Sequence, residues 1–168
     1  MREILFRGKR VDNGEWFYGV PTIDSRGQTV IVENVFDCDE YNCRGASCLY
    51  VDENTIGQYT GLTDKNGKKI FEGDIVQYNT YDDFDCHSVV KFGEYNQDGS
   101  SGEYSATKCI GFYVEVDNFT CPDWCENDPE FFPEYFGQQN ILEVASDCEV
   151  IGNIYDNPKL LLKVGDEK

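Results

Sequence analysis

Six side chains in this 168-residue chain could together hold a metal ion: Cys38, Cys43, Cys48, Cys121, Cys125 and His87. The first three are spaced as Cys-x4-Cys-x4-Cys, and the fourth and fifth as Cys-x3-Cys. A structural zinc site takes four thiolate or imidazole ligands, usually as two closely spaced pairs. Only Cys121 and Cys125 resemble such a pair, and no Cys-x2-Cys occurs. Neighbouring carboxylates attract cations, but they also raise thiol pKa values and oppose thiolate formation. Reduced, partly buried thiols therefore rank first, disulfides second and zinc third. No cofactor is expected.

Calcium has weaker support. Asp82, Asp83 and Asp85, and the stretch from Asn96 and Asp98 to Glu103, supply oxygen ligands. Neither follows the spacing of a calcium-binding helix–loop–helix, so both read as solvated acidic turns. Catalysis has little to stand on. His87 is the single imidazole, and its neighbour Cys86 would point to the opposite face of a strand, away from a nucleophile–base contact. The phosphate-loop, dinucleotide and zinc-protease motifs are absent. The expectation is that the protein is not an enzyme.

Charge organises the rest of the chain. There are 32 acidic and 14 basic residues, a net charge of −18. Residues 37–60 carry −4, residues 82–104 carry −5 and residues 117–149 carry −9, while the intervening stretches balance. Like charges resist packing, so these three segments read as solvated excursions on a neutral framework. Seven of the eight cysteines lie in them. The third also holds Trp124, Phe131, Phe132, Tyr135 and Phe136, interrupted by Pro122, Pro129 and Pro133. The prolines argue against a regular element. The first reading of these aromatics is that they cover a sheet. The sharper one is a partner-contact surface, because aromatics dominate binding hot spots.

The neutral framework reads as β-strands at residues 3–7, 15–20, 29–32, 74–78, 88–92, 110–116 and 149–155. Turn chemistry separates several of them at Asp12-Asn13-Gly14, Asp24-Ser25-Arg26-Gly27 and Asp64-Lys65-Asn66-Gly67. Residues 96–102 have the composition of a flexible turn. A short C-terminal helix is expected, with Asn157 as its cap and Pro158 at its first position. The expected fold is mainly β: a small SH3-like β-barrel framework with an N-terminal β-hairpin region, long acidic loops and that helix. Residues 1–54 form the N-terminal β region. Residues 55–168 form the barrel region, with long insertions at 82–104 and 117–147, and the two regions could share one continuous core. No apolar run is long enough to span a bilayer, and charges at Arg2, Glu3 and Arg7 interrupt any signal-peptide core. The expected location is the cytoplasm.

The stretch Gly57-Gln-Tyr-Thr-Gly-Leu-Thr-Asp64-Lys-Asn-Gly-Lys-Lys-Ile-Phe-Glu-Gly-Asp-Ile-Val76 resembles the signature of the YopX family, small proteins encoded mostly by bacteriophages and prophages. The opening (Met1-Arg2-Glu3-Ile4, Phe6 to Arg10, Asn13 to Trp16 and Tyr18-Gly19) is similar to the family's start. Val90 to Glu94 and Gly111 to Tyr113 resemble its middle, and Glu149 to Pro158 its end. The likeness covers the neutral framework and leaves out the acidic segments. It implies a compact β-rich protein, a bacterial host cell and oligomeric assembly. It implies no activity and no catalytic residues.

The expected function is that of a non-catalytic phage or prophage accessory protein, acting by contact with a host or phage protein or by self-assembly. One alternative is an acidic DNA mimic that sequesters a host nucleic-acid-binding protein. Duplex DNA as long as this globule is wide carries about 24 charges, which eighteen excess negatives approach if they share a face. The other alternative is nucleic-acid binding through the SH3-like barrel, using Arg7 to Arg10 and Lys65, Lys68 and Lys69. Net repulsion of phosphates makes nucleic acid a partner not to be expected, and no membrane association is foreseen.

Overall fold

Three Asp-to-Gly stretches turn the chain sharply, and the strands run out from them. Gly14, Gly27 and Gly67 have φ of 73°, 80° and 81°, the left-handed region in which a Cβ is strained. In the first turn, the Gly14 amide donates to the Arg10 carbonyl at 3.0 Å. The other two share one geometry. The Asp24 amide donates to the Gln28 carbonyl, the Gly27 amide to the Asp24 carbonyl, and the Arg26 and Gln28 amides to Asp24 Oδ1. Asp64, Asn66, Gly67 and Lys68 repeat each of these bonds.

The computed structural model describes residues 3–35, 46–79, 85–97, 107–120 and 138–161. The fold is mainly β, and the chain divides into two units, Met1–Gly61 and Leu62–Lys168. The first contains β1 (Phe6–Arg10), β2 (Trp16–Ile23), β3 (Thr29–Val35) and most of β4 (Ala46–Thr63). Pairing is antiparallel, β1 with β2, β2 with β3, β3 with β4, and β4 again with β1. Val30, Ile31, Val51 and Tyr59 are buried in this unit. On β4 the residues Glu53 to Ile56 bulge out between the pairs Arg7–Gly57 and Lys9–Asp52. Thr55 sutures the bulge: its hydroxyl accepts from the Lys9 amide at 2.8 Å and donates to the Asp52 carbonyl at 2.7 Å.

Residues 37–45 lie outside the described residues, and over residues 46–60 β4 corrects the reading of 37–60 as a surface excursion. Its apolar–polar alternation is broken at Asp52-Glu53-Asn54, where the bulge lies, so the sequence pattern hides a single long strand.

The second unit opens on the last residues of β4 and contains β5 (Lys69–Phe71), β6 (Asp74–Asn79), β7 (Asp85–Gln97), β8 (Thr107–Thr120), β9 (Gln138–Asn140) and β10 (Glu149–Asn153). A one-turn helix, α1 (Ile141–Val144), follows β9, and a 3-10 turn at Pro158–Leu161 follows β10. Five strands form an antiparallel sheet in the order β10-β6-β7-β8-β9. Ile70, Val76, Tyr78, Cys86, Val90, Phe112, Val114, Ile141, Val144, Cys148 and Val150 pack together as its core. Full burial of a Val or Ile contributes about 1.5–3 kcal/mol.

Within the insertions 82–104 and 117–147, the strand expected at 88–92 runs over Asp85–Gln97, so less of these segments is loop than the sequence suggests where they are described. Residues 85–97 are strand throughout: Cys86, Ser88 and Val90 are buried in the core, and beyond Val90 the same parity is exposed at Phe92, Glu94 and Asn96 while Tyr95 is buried. Acidic residues are compatible with a strand where its face leaves the core, as at Glu94. Likewise β8 continues to Thr120, and α1 buries Ile141 and Val144 while Glu143 is exposed.

The C-terminal helix is a single 3-10 turn, and Asn157 does not cap it with its side chain. Asn157 Oδ1 instead accepts from the Asn153 amide behind it, while its carbonyl accepts from the Leu160 amide. Gly152 makes room for this: a Cβ there would sit 2.6 Å from Asn157 Oδ1 and 2.9 Å from its Cβ. Gly152→Ala is therefore expected to lower stability by about 1–3 kcal/mol. Asn157→Gly in the same chain should recover part of that loss, as a double-mutant cycle in urea would show.

Candidate functional site

Of the six zinc candidates, Cys38, Cys43, Cys121 and Cys125 lie outside the described residues. Cys48 is exposed on β4, in the first unit. His87 is half-buried on β7, in the second, with Nδ1 3.2 Å from the Leu160 carbonyl. Its neighbour Cys86 is fully buried, so the two do point to opposite faces. Among the described residues no group of three His, Cys, Asp or Glu side chains is placed to hold a metal. Of the calcium candidates, Asp85 accepts both of its bonds from Gln77 Nε2, at 2.9 and 3.0 Å. Asn96 is the last residue but one of β7, and Asp82, Asp83, Asp98 and Glu103 are outside the described residues. So are Trp124, Phe131, Phe132, Tyr135 and Phe136.

Cys86 and Cys148 are core residues rather than reagents. Burial, with Asp85 adding to it, pushes the Cys86 thiol up to about 12. Burial, then Asp64, pushes Cys148 up to about 11. In the folded protein at neutral pH, iodoacetamide should modify Cys48 more than about a hundredfold faster than Cys86 or Cys148. Peptide-level mass spectrometry resolves the three, and equal rates would contradict their burial.

The segments that resemble the family's signature have polar side chains turned on their own backbone. Asp64 is 5% exposed. Its Oδ1 accepts from the amides of Asn66 and Lys68, and its Oδ2 accepts from the Val150 amide on β10 at 2.9 Å. Burial pushes its carboxyl pKa up, but the three amides and the Lys68 ammonium outweigh burial and leave it below the ordinary value. Lys65 adds an ion pair to Glu149 at 3.0 Å, and Lys68 Nζ donates to the Val150 carbonyl. Asp74, 1% exposed, accepts from the Phe71 amide across the turn at Glu72-Gly73. Asn153 Oδ1 accepts from the amides of Tyr155 and Asp156, and its Nδ2 donates to Asp156. This pattern ties turns to strands.

The basic clusters are similarly engaged. Arg10 pairs with Asp12 at 2.6 Å and with Glu15 at 3.5 Å. Arg7, 7% exposed, lies 4.5 Å from the centroid of the Trp16 ring, and Lys9 Nζ lies 5.7 Å from it.

What the sequence reading missed is the far half of the β7–β8 hairpin. Val89 on β7 and Gln138 on β9 are both opposite Glu115, so in a flat sheet Asn96 would be about 23 Å along the strand from Gln138. The Asn96 amide nevertheless donates to Gln138 Oε1 at 3.0 Å. The hairpin therefore folds back beyond the cross-strand pair Gly93–Gly111. Tyr95 then stacks on Tyr113, centroids 5.1 Å apart, and its hydroxyl accepts from Asn140 Nδ2 at 2.8 Å. A small open cavity of about 130 Å³ at this end of the hairpin is bordered by Tyr95 and Gln138 and by Glu94, Asn96 and Lys108, whose strand parity is that of the other face.

The opposite face of the same hairpin is apolar and open. Phe92 is 53% exposed and Ile110 is 76% exposed. Phe92 meets Phe112 edge-on at 5.0 Å, and Ile110 is the cross-strand partner of Glu94. Both large side chains have the parity of the core residues Val90 and Val114, so the sequence alone assigns them to the interior.

Among the described residues no helix is long and apolar enough to cross a membrane. No curated protein matches this chain. A solved structure similar to it is the crystal structure of protein EF1440 from Enterococcus faecalis, at 22% identity, covering 96% of this chain and 100% of that one, with a TM-score of 0.45. The family model described as YopX protein matches residues 5–162, which include every turn, strand and anchoring side chain discussed above. The chain belongs to the YopX family.

Proposed function

We propose that the chain is a non-catalytic accessory protein of a phage or prophage, working in the bacterial cytoplasm by contact with itself or with a host or phage protein. The observation that carries this reading is the use made of Asp64, Asp74 and Asn153, whose polar atoms bond to the chain's own turns and strands. A framework of this kind is suited to presenting surfaces to a partner. The finer architectural reading, a small SH3-like barrel, belongs to the same proposal. Over residues 55–168, where the sequence places that barrel, it draws on the antiparallel order β10-β6-β7-β8-β9 and on the β7–β8 hairpin that folds back to β9; the cycle β1-β2-β3-β4-β1 lies in the N-terminal β region instead. The nucleic-acid alternative draws little support from basic groups already held by Asp12, Glu15, Glu149 and the Val150 carbonyl.

A photoreactive amino acid in place of Ile110, expressed in the bacterial host, tests the proposal. Illumination should give a discrete adduct with the chain itself or with one other protein. A chain that forms no protein adduct there or at Phe92, and that the host nevertheless requires for a chemical conversion, would overturn it.

A further inference from the structure

We infer that the outer face of the β7–β8 hairpin is a self-complementary patch through which two copies of this chain pair. The inference rests on the contact-protein reading above and names its surface and its partner. Three cross-strand pairs share this face: Phe92 with Phe112, Glu94 with Ile110, and Asn96 with Lys108. Ile110 and Phe92 are the exposed apolar centre. Flanking them, Glu94 lies on one strand and Lys108 on the other, with Lys108 Nζ 4.0 Å from Glu94 Oε2. These two side chains are 68% and 75% exposed, so their mutual ion pair is weak and exchanges at little cost.

A two-fold interface places the same patch on both partners and requires it to complement itself. A two-fold axis lying in the plane of contact and running past Ile110 between Glu94 and Lys108 sets Glu94 of each copy against Lys108 of the other and stacks the apolar centres. Local complementarity of this kind matters in a chain of net charge −18, for which an unmatched acidic face would repel its own copy. Two exposed apolar side chains per copy form a patch well below the ~800 Å² per partner of a standard stable interface. The pairing is therefore weak and concentration-dependent.

Sedimentation equilibrium of the full chain, from micromolar to millimolar and at low and high salt, tests this. The parent should shift from monomer towards dimer, less so at high salt. Ile110→Asp should raise the dissociation constant about tenfold or more. Because Ile110 is on the surface, its melting temperature should stay near that of the parent. Lys108→Glu should weaken pairing, and adding Glu94→Lys should restore it, since the exchanged charges still match across the axis. A dimer indifferent to Ile110→Asp and to the charge exchange overturns this surface while leaving the contact-protein reading intact. A strict monomer whose adduct at position 110 is another protein overturns the second copy as occupant. A strict monomer that gives no protein adduct overturns both.

Discussion

Replacing Asp64 by Asn is expected to destabilise the second unit by on the order of 2–4 kcal/mol at neutral pH. The carboxylate accepts three backbone amides while almost fully buried. The isosteric amide puts an N–H₂ group where one of those donors needs an oxygen. The loss includes the anchoring of the Asp64–Lys68 turn to β10, so amide exchange at Asn66, Lys68 and Val150 should accelerate first. Asp24 is the internal control. It makes the same turn with the same two amides, but its second oxygen accepts from the Tyr50 hydroxyl at 3.0 Å, at an exposed position. Asp24→Asn should therefore cost distinctly less.

The same carboxylate sets a pH dependence. Asp64 holds its proton less tightly folded than unfolded, so its contribution is complete above the unfolded value near 3.9. As pH falls through the folded value the native state must take up that proton, and the contribution disappears. Urea midpoints of the parent and of Asp64→Asn should be well separated at pH 7 and converge below about pH 4. A constant separation across that range would show that the charge is not what the site uses.

Gly19→Ala is expected to be the most damaging single methyl in the first unit. Gly19 is buried on β2 between its partners on β1 and β3, and a Cβ there would sit 2.1 Å from the Val32 carbonyl oxygen and 2.9 Å from Ile31 Cγ2. The near atom is backbone, so no rotamer change relieves the clash, and β2 must separate from β3. A loss of about 3 kcal/mol or more follows, with the Val20–Val32 pairing broken. Gly14→Ala and Gly27→Ala meet no atom within 4 Å and should show only the smaller cost of a left-handed φ. Thermal melts of the three variants separate the two effects; equal losses would remove the packing explanation.

Much of this fold is legible in the sequence because turns are local. Asp-x-x-Gly carries its own hydrogen-bond acceptor and its own left-handed residue, so Asp24–Gly27 and Asp64–Gly67 announce themselves. Short β-branched and apolar runs bounded by turns, such as Thr29 to Val32 and Ile75 to Tyr78, follow from them. β4 is not legible because its bulge shifts the alternation midway, and β7 is legible only at 88–92 because beyond Val90 the buried parity changes and Glu94 and Asn96 occupy positions that continue the core face. The exposure of Phe92 and Ile110 is beyond sequence reading for a different reason. It depends on a hairpin folding back past Gly93 and Gly111 onto β9, a contact between residues more than forty positions apart in the chain. Of the candidate site residues, Cys48 and His87 are described and fall in different units, while the aromatic cluster from Trp124 to Phe136 lies outside the described residues.

The central claim is that the polar residues in the family-matching segments hold the fold rather than bind or transform a ligand. Urea unfolding of Asp64→Asn, Asp74→Asn and Asn153→Ala, each beside the photoadduct formed at position 110, tests it most directly. The expected result is a stability loss of about 1–4 kcal/mol in every variant, with the adduct retained at temperatures where the variant is still folded. Variants as stable as the parent that nevertheless lose the adduct would contradict it, because those side chains would then serve a partner and not the fold.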